Sequence, residues 1–161
     1  MLVILRHAEP RRGESDPELT SAGHRMALEA GEWVLARLPG AAPVRILHTP
    51  TARTRQTALG VRHWLADRAS LNTIEALPET LDDLEILADR ICGARPGLPS
   101  PPLPPTVLVG HHTTLVALAR ELRPSPAGLN PRHYSAGLAI ERKRGTLTGW
   151  AVVSVWPGRP G

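Results

Sequence analysis

The chain has 161 residues with a hydrophobic share of 42% and a charged share of 21%, which is ordinary for a globular protein and predicts a single domain over residues 1–161. Cys92 is its one cysteine, so an internal disulfide framework is excluded and we expect a reducing, cytoplasmic compartment. No stretch is long and apolar enough for a membrane span, and we expect neither a signal peptide nor a membrane partner.

The basic residues of the chain do not form a nucleic-acid patch. The net charge is +4, and all but one of the 19 basic residues are arginines scattered along the sequence. The chain has no Phe and one Tyr, so it offers few rings for base stacking. We therefore do not expect a nucleic-acid partner, although a basic surface favours anionic substrates by steering them.

The first predicted element is a strand over residues 1–5. It is a continuous apolar run without alternation, which is typical of a strand buried on both faces. Arg6 and His7 follow it directly, and the carboxyl ends of strands form the ligand crevice in open α/β sheets. A fixed guanidinium beside a titratable imidazole suits the handling of a phosphoryl group. Arg6 and His7 are therefore candidate site residues.

Further elements are indicated by apolar period, by capping residues and by Gly and Pro at their ends. In chain order they are a helix that opens at 19–23 and ends before 39–40, a strand at 44–48, a helix from Thr49-Pro50 through 65, a weaker strand at 71–77, a helix from a Thr80–Asp83 capping box to about 92, a strand at 106–110, a helix from 111–112 to 122, and β-runs at 134–142 and 146–156. Thr20 or Ser21 can cap the first helix. A proline-rich connection is predicted at 96–105, and a turn at Arg144-Gly145.

This alternation of strands and helices predicts an α/β fold, with a largely parallel sheet and helices on both faces. Right-handed crossovers bring the ends of parallel strands to one edge of the sheet. Arg6, His7, Arg53 and His111 can therefore converge, although more than a hundred positions separate the first from the last. Arg53 would project from the first turn of a helix, where free N–H groups also favour an anion. The sequence thus predicts a phosphate pocket with an internal nucleophile.

Four motifs occur along the chain: Arg6-His7-Ala8, LTSAG at 19–23, TPTARTRQT at 49–57 and VLVGH at 107–111. They resemble, in the same order, the Arg-His-Gly or Arg-His-Ala, Leu-Thr-x-x-Gly, Ser-Pro-x-x-Arg-x-x-Gln-Thr and second-histidine motifs of the histidine phosphatase superfamily. The resemblance spans nearly the whole chain. It implies a phosphoglycerate mutase-like, three-layer αβα sandwich.

The resemblance also implies roles for the candidate site residues. His7 would be the nucleophile that becomes phosphohistidine, while Arg6, Arg53 and His111 would bind the phosphoryl oxygens. The chemistry agrees, because a neutral imidazole can attack phosphorus in line while cations stabilise the transferred oxygens. No metal and no cofactor are expected. His111 and His112 are not a predicted metal pair, because neighbouring residues on a turn seldom coordinate one ion.

Within the superfamily, the short chain resembles the compact SixA-type protein-histidine phosphatases. Ala8 is a variant frequent in that branch, and the Asn that mutases carry shortly after the nucleophile is missing. Leu77-Pro78-Glu79, however, resembles the Leu-x-Glu that supplies a general acid in phosphomonoesterase members. Glu79 can equally be a negative residue placed before a helix. Both interpretations of Glu79 stay open.

Three functions are compatible with these residues. The favoured one removes phosphate from a phosphohistidine of a signalling protein. The alternative hydrolyses a small phosphomonoester, such as a sugar or nucleotide phosphate, with Glu79 as general acid. A non-catalytic phosphoprotein-binding module is the least favoured, because a binder would not need the nucleophile. The rim residues Glu9, Arg11, Arg12 and Glu14 suit either a protein or a metabolite, and the oligomeric state is not predicted.

Overall fold

The computed structural model describes residues 1–95, 101–122, 128–143 and 149–160. Its strands are β1 (Leu2–Arg6), β2 (Val44–His48), β3 (Ala69–Thr73), β4 (Thr106–Gly110), β5 (Gly137–Arg142) and β6 (Trp150–Trp156). Its helices are α1 (Ser21–Leu35), α2 (Ala52–Leu65), α3 (Leu81–Cys92) and α4 (His112–Glu121), and a short 3-10 helix, Ala66–Arg68, follows α2. None of the helices described is long and apolar enough to cross a membrane.

The six strands form one sheet in the order β3-β2-β4-β1-β5-β6. Strands β1 to β4 are parallel to one another, whereas β5 is antiparallel to both of its neighbours, β1 and β6. The two central strands β1 and β4 are the continuous apolar runs of the sequence, and both are buried on their two faces. The predicted α/β fold with a largely parallel sheet is therefore confirmed.

Helices cover both faces of this sheet. On one face, Val34 of α1 and Val61 of α2 pack on β1, β2 and β4 in one apolar cluster. On the other face, Leu84 of α3 and Leu115 of α4 pack with Ile4 and neighbouring strand residues in a second cluster. Each of these side chains is fully buried and contributes about 1.5–3 kcal/mol of transfer free energy. The sandwich thus has the three layers that the resemblance implied.

The predicted helix ends at α1 and α3 are confirmed. The Thr20 side chain accepts a hydrogen bond from the Gly23 N–H at 2.9 Å and caps α1. The Thr80 side chain accepts one from the Asp83 N–H at 3.0 Å and caps α3. Helix α3 ends at Gly93, whose φ of +67° is a left-handed conformation that glycine adopts without strain.

The predicted start of the second helix at Thr49-Pro50 is wrong, since α2 begins at Ala52. The Thr54 hydroxyl donates to the Thr49 carbonyl at 2.7 Å, so a side chain satisfies the backbone just before the helix. Such local hydroxyl bonds compete with helical ones and delay the helix. Pro50 therefore lies outside α2.

The third strand was predicted at 71–77 but spans Ala69–Thr73. The Ile74 N–H still donates to the His48 carbonyl at 2.9 Å, after which the chain leaves the sheet. Leu77 is buried nonetheless, because it packs against the end of β4, where a Cβ on Gly110 would lie 2.0 Å from its Cδ1. Leu77 thus belongs to a loop, and its burial there produced a misleading strand pattern.

The last elements are shorter than predicted. The runs predicted at 134–142 and 146–156 contain β5 and β6, and α4 ends one residue before the predicted Leu122. The predicted turn at Arg144-Gly145 lies outside the described residues. Of the proline-rich connection, 101–105 is described and has no regular secondary structure, whereas 96–100 lies outside.

Candidate active site

The ends of the parallel strands place the candidate residues at one edge of the sheet. Arg6 ends β1 and is in register with Gly110, which ends β4. His7 and His111 therefore follow neighbouring strands, and their ring centroids lie 5.4 Å apart. Arg53, in the first turn of α2, lies close enough for its charge to act on both imidazoles. The structure brings all four predicted residues together.

His7 is buried and held in one tautomer. Its side chain is only 7% exposed, and Nδ1 lies 2.8 Å from the carbonyl oxygen of Ala8. Because a carbonyl only accepts, Nδ1 carries the proton and Nε2 carries the free lone pair. Burial, above all, lowers the pKa of His7 to about 3, and the charges of Arg6, Arg53 and His111 act in the same direction. His7 is therefore neutral at physiological pH, with the lone pair of Nε2 available.

The Gln-Thr end of the 49–57 motif anchors the loop that follows His7. The Ala8 N–H donates to the Thr57 hydroxyl at 2.9 Å, and this hydroxyl donates to the Arg53 carbonyl at 2.7 Å. The Leu19 N–H donates to the Gln56 side-chain oxygen at 2.6 Å. These bonds connect the loop after His7 to the helix that carries Arg53. The motif residues outside the pocket thus have a positioning role that the sequence did not assign to them.

The LTSAG segment at the start of α1 contacts the same loop, which follows His7. The Thr20 N–H donates to the Glu9 carbonyl at 3.0 Å, and the Thr20 hydroxyl donates to the Glu9 carboxylate at 2.8 Å. A Cβ on Gly23 would lie 2.2 Å from the same carbonyl oxygen. The motif requires glycine there because the backbone of the loop lies directly on the first turn of the helix.

Arg6 is held by a loop from the other end of the sequence. Its guanidinium donates to the carbonyl of Arg132 and, at 3.5 Å, to that of Pro131. The guanidinium carbon lies 4.3 Å from the ring centroid of Tyr134, whose ring is 5.9 Å from that of His7. Burial lowers the pKa of Arg6, an effect that Tyr134 opposes. Tyr134 was not predicted as a site residue, since nothing in the sequence around it indicates this contact.

A carboxylate lies at the start of α2, beside Arg53. Asp16 accepts from the Ala52 N–H at 2.9 and 3.1 Å, and its Oδ1 lies 3.5 Å from an Arg53 nitrogen. The start of a helix favours such an anion. The Arg53 side chain is 21% exposed and that of Asp16 is 50% exposed, so the pair is worth at most about 1 kcal/mol. Asp16 was also missed, because the loop that carries it has no recognisable period.

His111 is oriented by a threonine hydroxyl. Its Nε2 lies 3.2 Å from Oγ1 of Thr49, and this hydroxyl can also donate to Oγ1 of Thr54 at 3.2 Å. Burial first, and then the charge of Arg53, lowers the pKa of His111. Thr49 therefore orients the His111 ring that faces His7. This contact explains why the 49–57 motif begins with a hydroxyl residue.

Glu79 lies at the edge of the site, in the exposed loop before α3. It lines a cavity of about 410 Å³ together with His112 and Thr113. Among the described residues, its carboxylate has neither a hydrogen-bond partner nor an ion-pair partner. The structure thus places Glu79 beside the second histidine segment and not in a contact with His7.

Three other histidines, His24, His48 and His63, lie in structural or exposed positions. His48 is buried, and its Nδ1 bonds the Thr49 carbonyl at 2.7 Å, as expected for a structural side chain. His24 and His63 are exposed on α1 and α2. Within the described ranges, no three His, Cys, Asp or Glu side chains cluster as metal ligands.

Solved structures share this architecture over nearly their full lengths. A mycobacterial glucosyl-3-phosphoglycerate phosphatase matches with a TM-score of 0.67 at 17% identity, over 99% of both chains. The protein histidine phosphatase SixA, complexed with tungstate, matches with a TM-score of 0.67 at 17% identity, over 96% of this chain and 94% of the other. The protein has the histidine phosphatase fold.

A SixA protein of Agrobacterium tumefaciens also has the histidine phosphatase fold and matches with a TM-score of 0.64 at 21% identity, over 99% of this chain and 97% of the other. No protein-family model and no curated protein matches the sequence. The names of the solved structures include both a protein-histidine phosphatase and a phosphatase of a sugar-acid ester. The histidine phosphatase fold therefore accommodates both substrate classes that the sequence left open.

Proposed function

We propose that the protein is a phosphatase that transfers a phosphoryl group first to His7 and then to water, and that its substrate is a phosphohistidine of a signalling protein. The observation that carries the proposal is the state of His7. Its Nδ1–H donates to the Ala8 carbonyl, and its low pKa keeps Nε2 unprotonated at neutral pH. The two arginines and the second histidine around it suit a phosphoryl group.

In the first step, the Nε2 lone pair of His7 attacks phosphorus. The new N–P bond forms as the bond from phosphorus to the leaving group breaks, in line and on the opposite side. Arg6, Arg53 and His111 stabilise the charge on the three transferred oxygens. Arg6 and His111 are already held in place for this task by Tyr134 and Thr49. No metal takes part in this proposal.

In the second step, water attacks the phosphorus of the phosphohistidine, and inorganic phosphate is released. The proton on Nδ1 of His7 stays in place through both steps, bonded to the Ala8 carbonyl. His7 therefore leaves as a neutral imidazole with its starting tautomer restored. The same hydrogen bond that exposes the nucleophile thus also makes it a good leaving group.

The leaving group favours phosphohistidine over a phosphomonoester. An alkoxide is a poor leaving group, so cleavage of an ester needs a positioned acid, which is worth about 10²–10⁴-fold. An imidazole can be protonated on its other nitrogen beforehand and then needs little help. Asp16, the carboxylate that contacts Arg53, already accepts from the Ala52 N–H, and Glu79 has no contact that would hold it as an acid.

The alternative is a small phosphomonoester, with Glu79 as the general acid. It is supported by the position of Glu79 in a cavity shared with His112, directly next to His111. A substrate that filled this cavity would bring its leaving oxygen towards that carboxylate.

The chemistry is tested by trapping the intermediate. Rapid quench with ³²P-labelled substrate should give an acid-labile, base-stable adduct on His7, and activity should survive EDTA and be inhibited by vanadate. His7→Ala should abolish turnover, and Arg53→Ala should lower it by about 10²–10³-fold. Label on another residue, an active His7→Ala protein, or loss of activity in chelator that a divalent ion restores would refute the mechanism.

The two substrate classes are separated by Glu79→Gln. With a phosphohistidine protein as substrate, the substitution should change kcat/KM less than twofold, whereas any side activity on phosphomonoesters should fall. Asp82→Asn, in the first turn of α3, the helix that follows Glu79, controls for the loss of a negative charge. A wild type that prefers a small ester, and loses about a hundredfold of that activity in Glu79→Gln, would replace the signalling assignment by the alternative.

A further inference from the structure

The cavity that contains Glu79 is a distinct feature of the site. It has a volume of about 410 Å³. Its lining residues are Glu79, His112, Thr113, Val116, Ala117, Arg120 and Arg132. Two guanidinium groups, an imidazole and one carboxylate thus border a single space, whose floor is formed by the small and apolar side chains of α4.

Two residues that line the cavity are linked to residues of the pocket around His7. His112 directly follows His111, whose ring lies 5.4 Å from that of His7. The backbone carbonyl of Arg132 accepts a hydrogen bond from Arg6. Two of its lining residues are therefore attached to groups that surround the reacting phosphorus.

The charge of the cavity is unbalanced. Its two arginines outnumber its one carboxylate, and among the described residues neither arginine side chain has a hydrogen-bond or ion-pair partner. Arg142 shows the contrast, because it is engaged by both Glu85 and Asp89. A guanidinium matches carboxylate and phosphate groups through paired N–H donors, so an unengaged pair in a cavity suits an anion.

We propose that this cavity is a subsite for a second anionic group, a carboxylate or phosphate, carried by the leaving group of the substrate. The proposal rests on the proposed function, since the phosphoryl group bound at His7 is the first of the two anionic groups that hold the substrate. Arg132, whose backbone touches Arg6, is the near partner. Arg120 is the far partner, because it lies eight residues, or about 12 Å along the helix axis, beyond His112.

Binding of non-hydrolysable probes tests the subsite without turnover. Phenylphosphonate and 4-carboxyphenylphosphonate share the phosphoryl mimic and differ by one carboxylate. By calorimetry, the wild type should bind the carboxylated probe about 3- to 10-fold more tightly. Arg120→Gln and Arg132→Gln should each remove most of that preference. Arg62→Gln, an exposed arginine in the last turn of α2, is the matched control and should leave it unchanged.

Turnover then identifies the source of the anion. Phenyl phosphate and 4-carboxyphenyl phosphate represent a small ester, and phosphohistidine peptides with Glu or Gln beside the modified residue represent a protein. If the wild type prefers the acidic member of one pair, and Arg120→Gln reduces this preference, the result supports the subsite. The pair that shows the preference identifies whether the anion belongs to a small ester or to a protein. Equal binding of the two phosphonates by the wild type, or an equal loss for both in the arginine variants, overturns the proposal. If the phosphonates show the preference while no substrate is turned over, the subsite stands and the proposed function fails.

Discussion

Replacing His7 with glutamine should make folding less sensitive to acid. In the unfolded chain His7 has an ordinary pKa near 6.5, whereas burial lowers it to about 3 in the fold. Between these two values the unfolded state binds a proton that the folded state does not, so the stability of the wild type falls as the pH falls below 6.5. At pH 5 the unfolded state gains about 2 kcal/mol from this one proton, relative to pH 7.5. The glutamine variant lacks this contribution.

The assay is urea unfolding of both proteins at pH 7.5 and pH 5.0. The free energy of unfolding of the wild type should drop by about 2 kcal/mol more than that of His7→Gln over this interval. The lowered pKa of His111 adds a loss of the same sign to both proteins, so it largely cancels in the comparison. His24→Gln, an exposed position on α1, should behave like the wild type. Equal acid sensitivity of wild type and His7→Gln would show that the pKa of His7 in the fold is close to its ordinary value, and would refute the effect of burial on it.

Three other substitutions test the contacts around the site. Tyr134→Leu should lower kcat/KM about 3- to 10-fold and weaken vanadate inhibition, because the guanidinium of Arg6 loses the ring it stacks on, whereas Tyr134→Phe should retain most of both; equal losses in the two variants would assign the effect to the hydroxyl. Asp16→Asn should tighten inhibition by inorganic phosphate, since Arg53 loses a competing anion, and should change the free energy of unfolding by less than about 1 kcal/mol; weaker phosphate binding would instead make Asp16 a positioning residue. Gly23→Ala should destabilise the fold by about 1–3 kcal/mol in denaturant titration, because the added methyl group meets the backbone of the loop after His7, and a neutral result would show that the loop can move away.

The sequence predicted the parts of the site that depend on strand ends. The apolar runs of β1 and β4 are long enough to identify buried parallel strands, and such strands must bring Arg6-His7 and His111 to one edge. Arg53 was predictable for a similar reason, since a motif places it in the first turn of a helix. The fold class followed from the same alternation, and the comparisons confirm it.

The residues that were missed are those whose partners are remote in sequence and lie on loops. Tyr134 contacts Arg6 across 128 positions of sequence (134 − 6), and Asp16 lies in a loop whose course has no period to read. The error at Leu77 has a related cause, because a buried position in a loop and a buried position in a strand are both occupied by apolar residues. The positions of Tyr134, Asp16 and Leu77 all depend on tertiary contacts of loops, which the local sequence pattern does not indicate.

Arg6 has two roles, because it belongs to the candidate site and also holds a segment at the rim of the pocket. The guanidinium that we propose to bind the phosphoryl group also holds the segment at 131–134 through two carbonyls and a ring. A lysine at this position would retain the charge but could not direct donors to several carbonyls at once while lying flat on an aromatic face. The rim of the pocket on this side therefore cannot be remodelled for a new substrate independently of catalysis, and we expect substitutions at 131–134 that change substrate preference to change the turnover number as well.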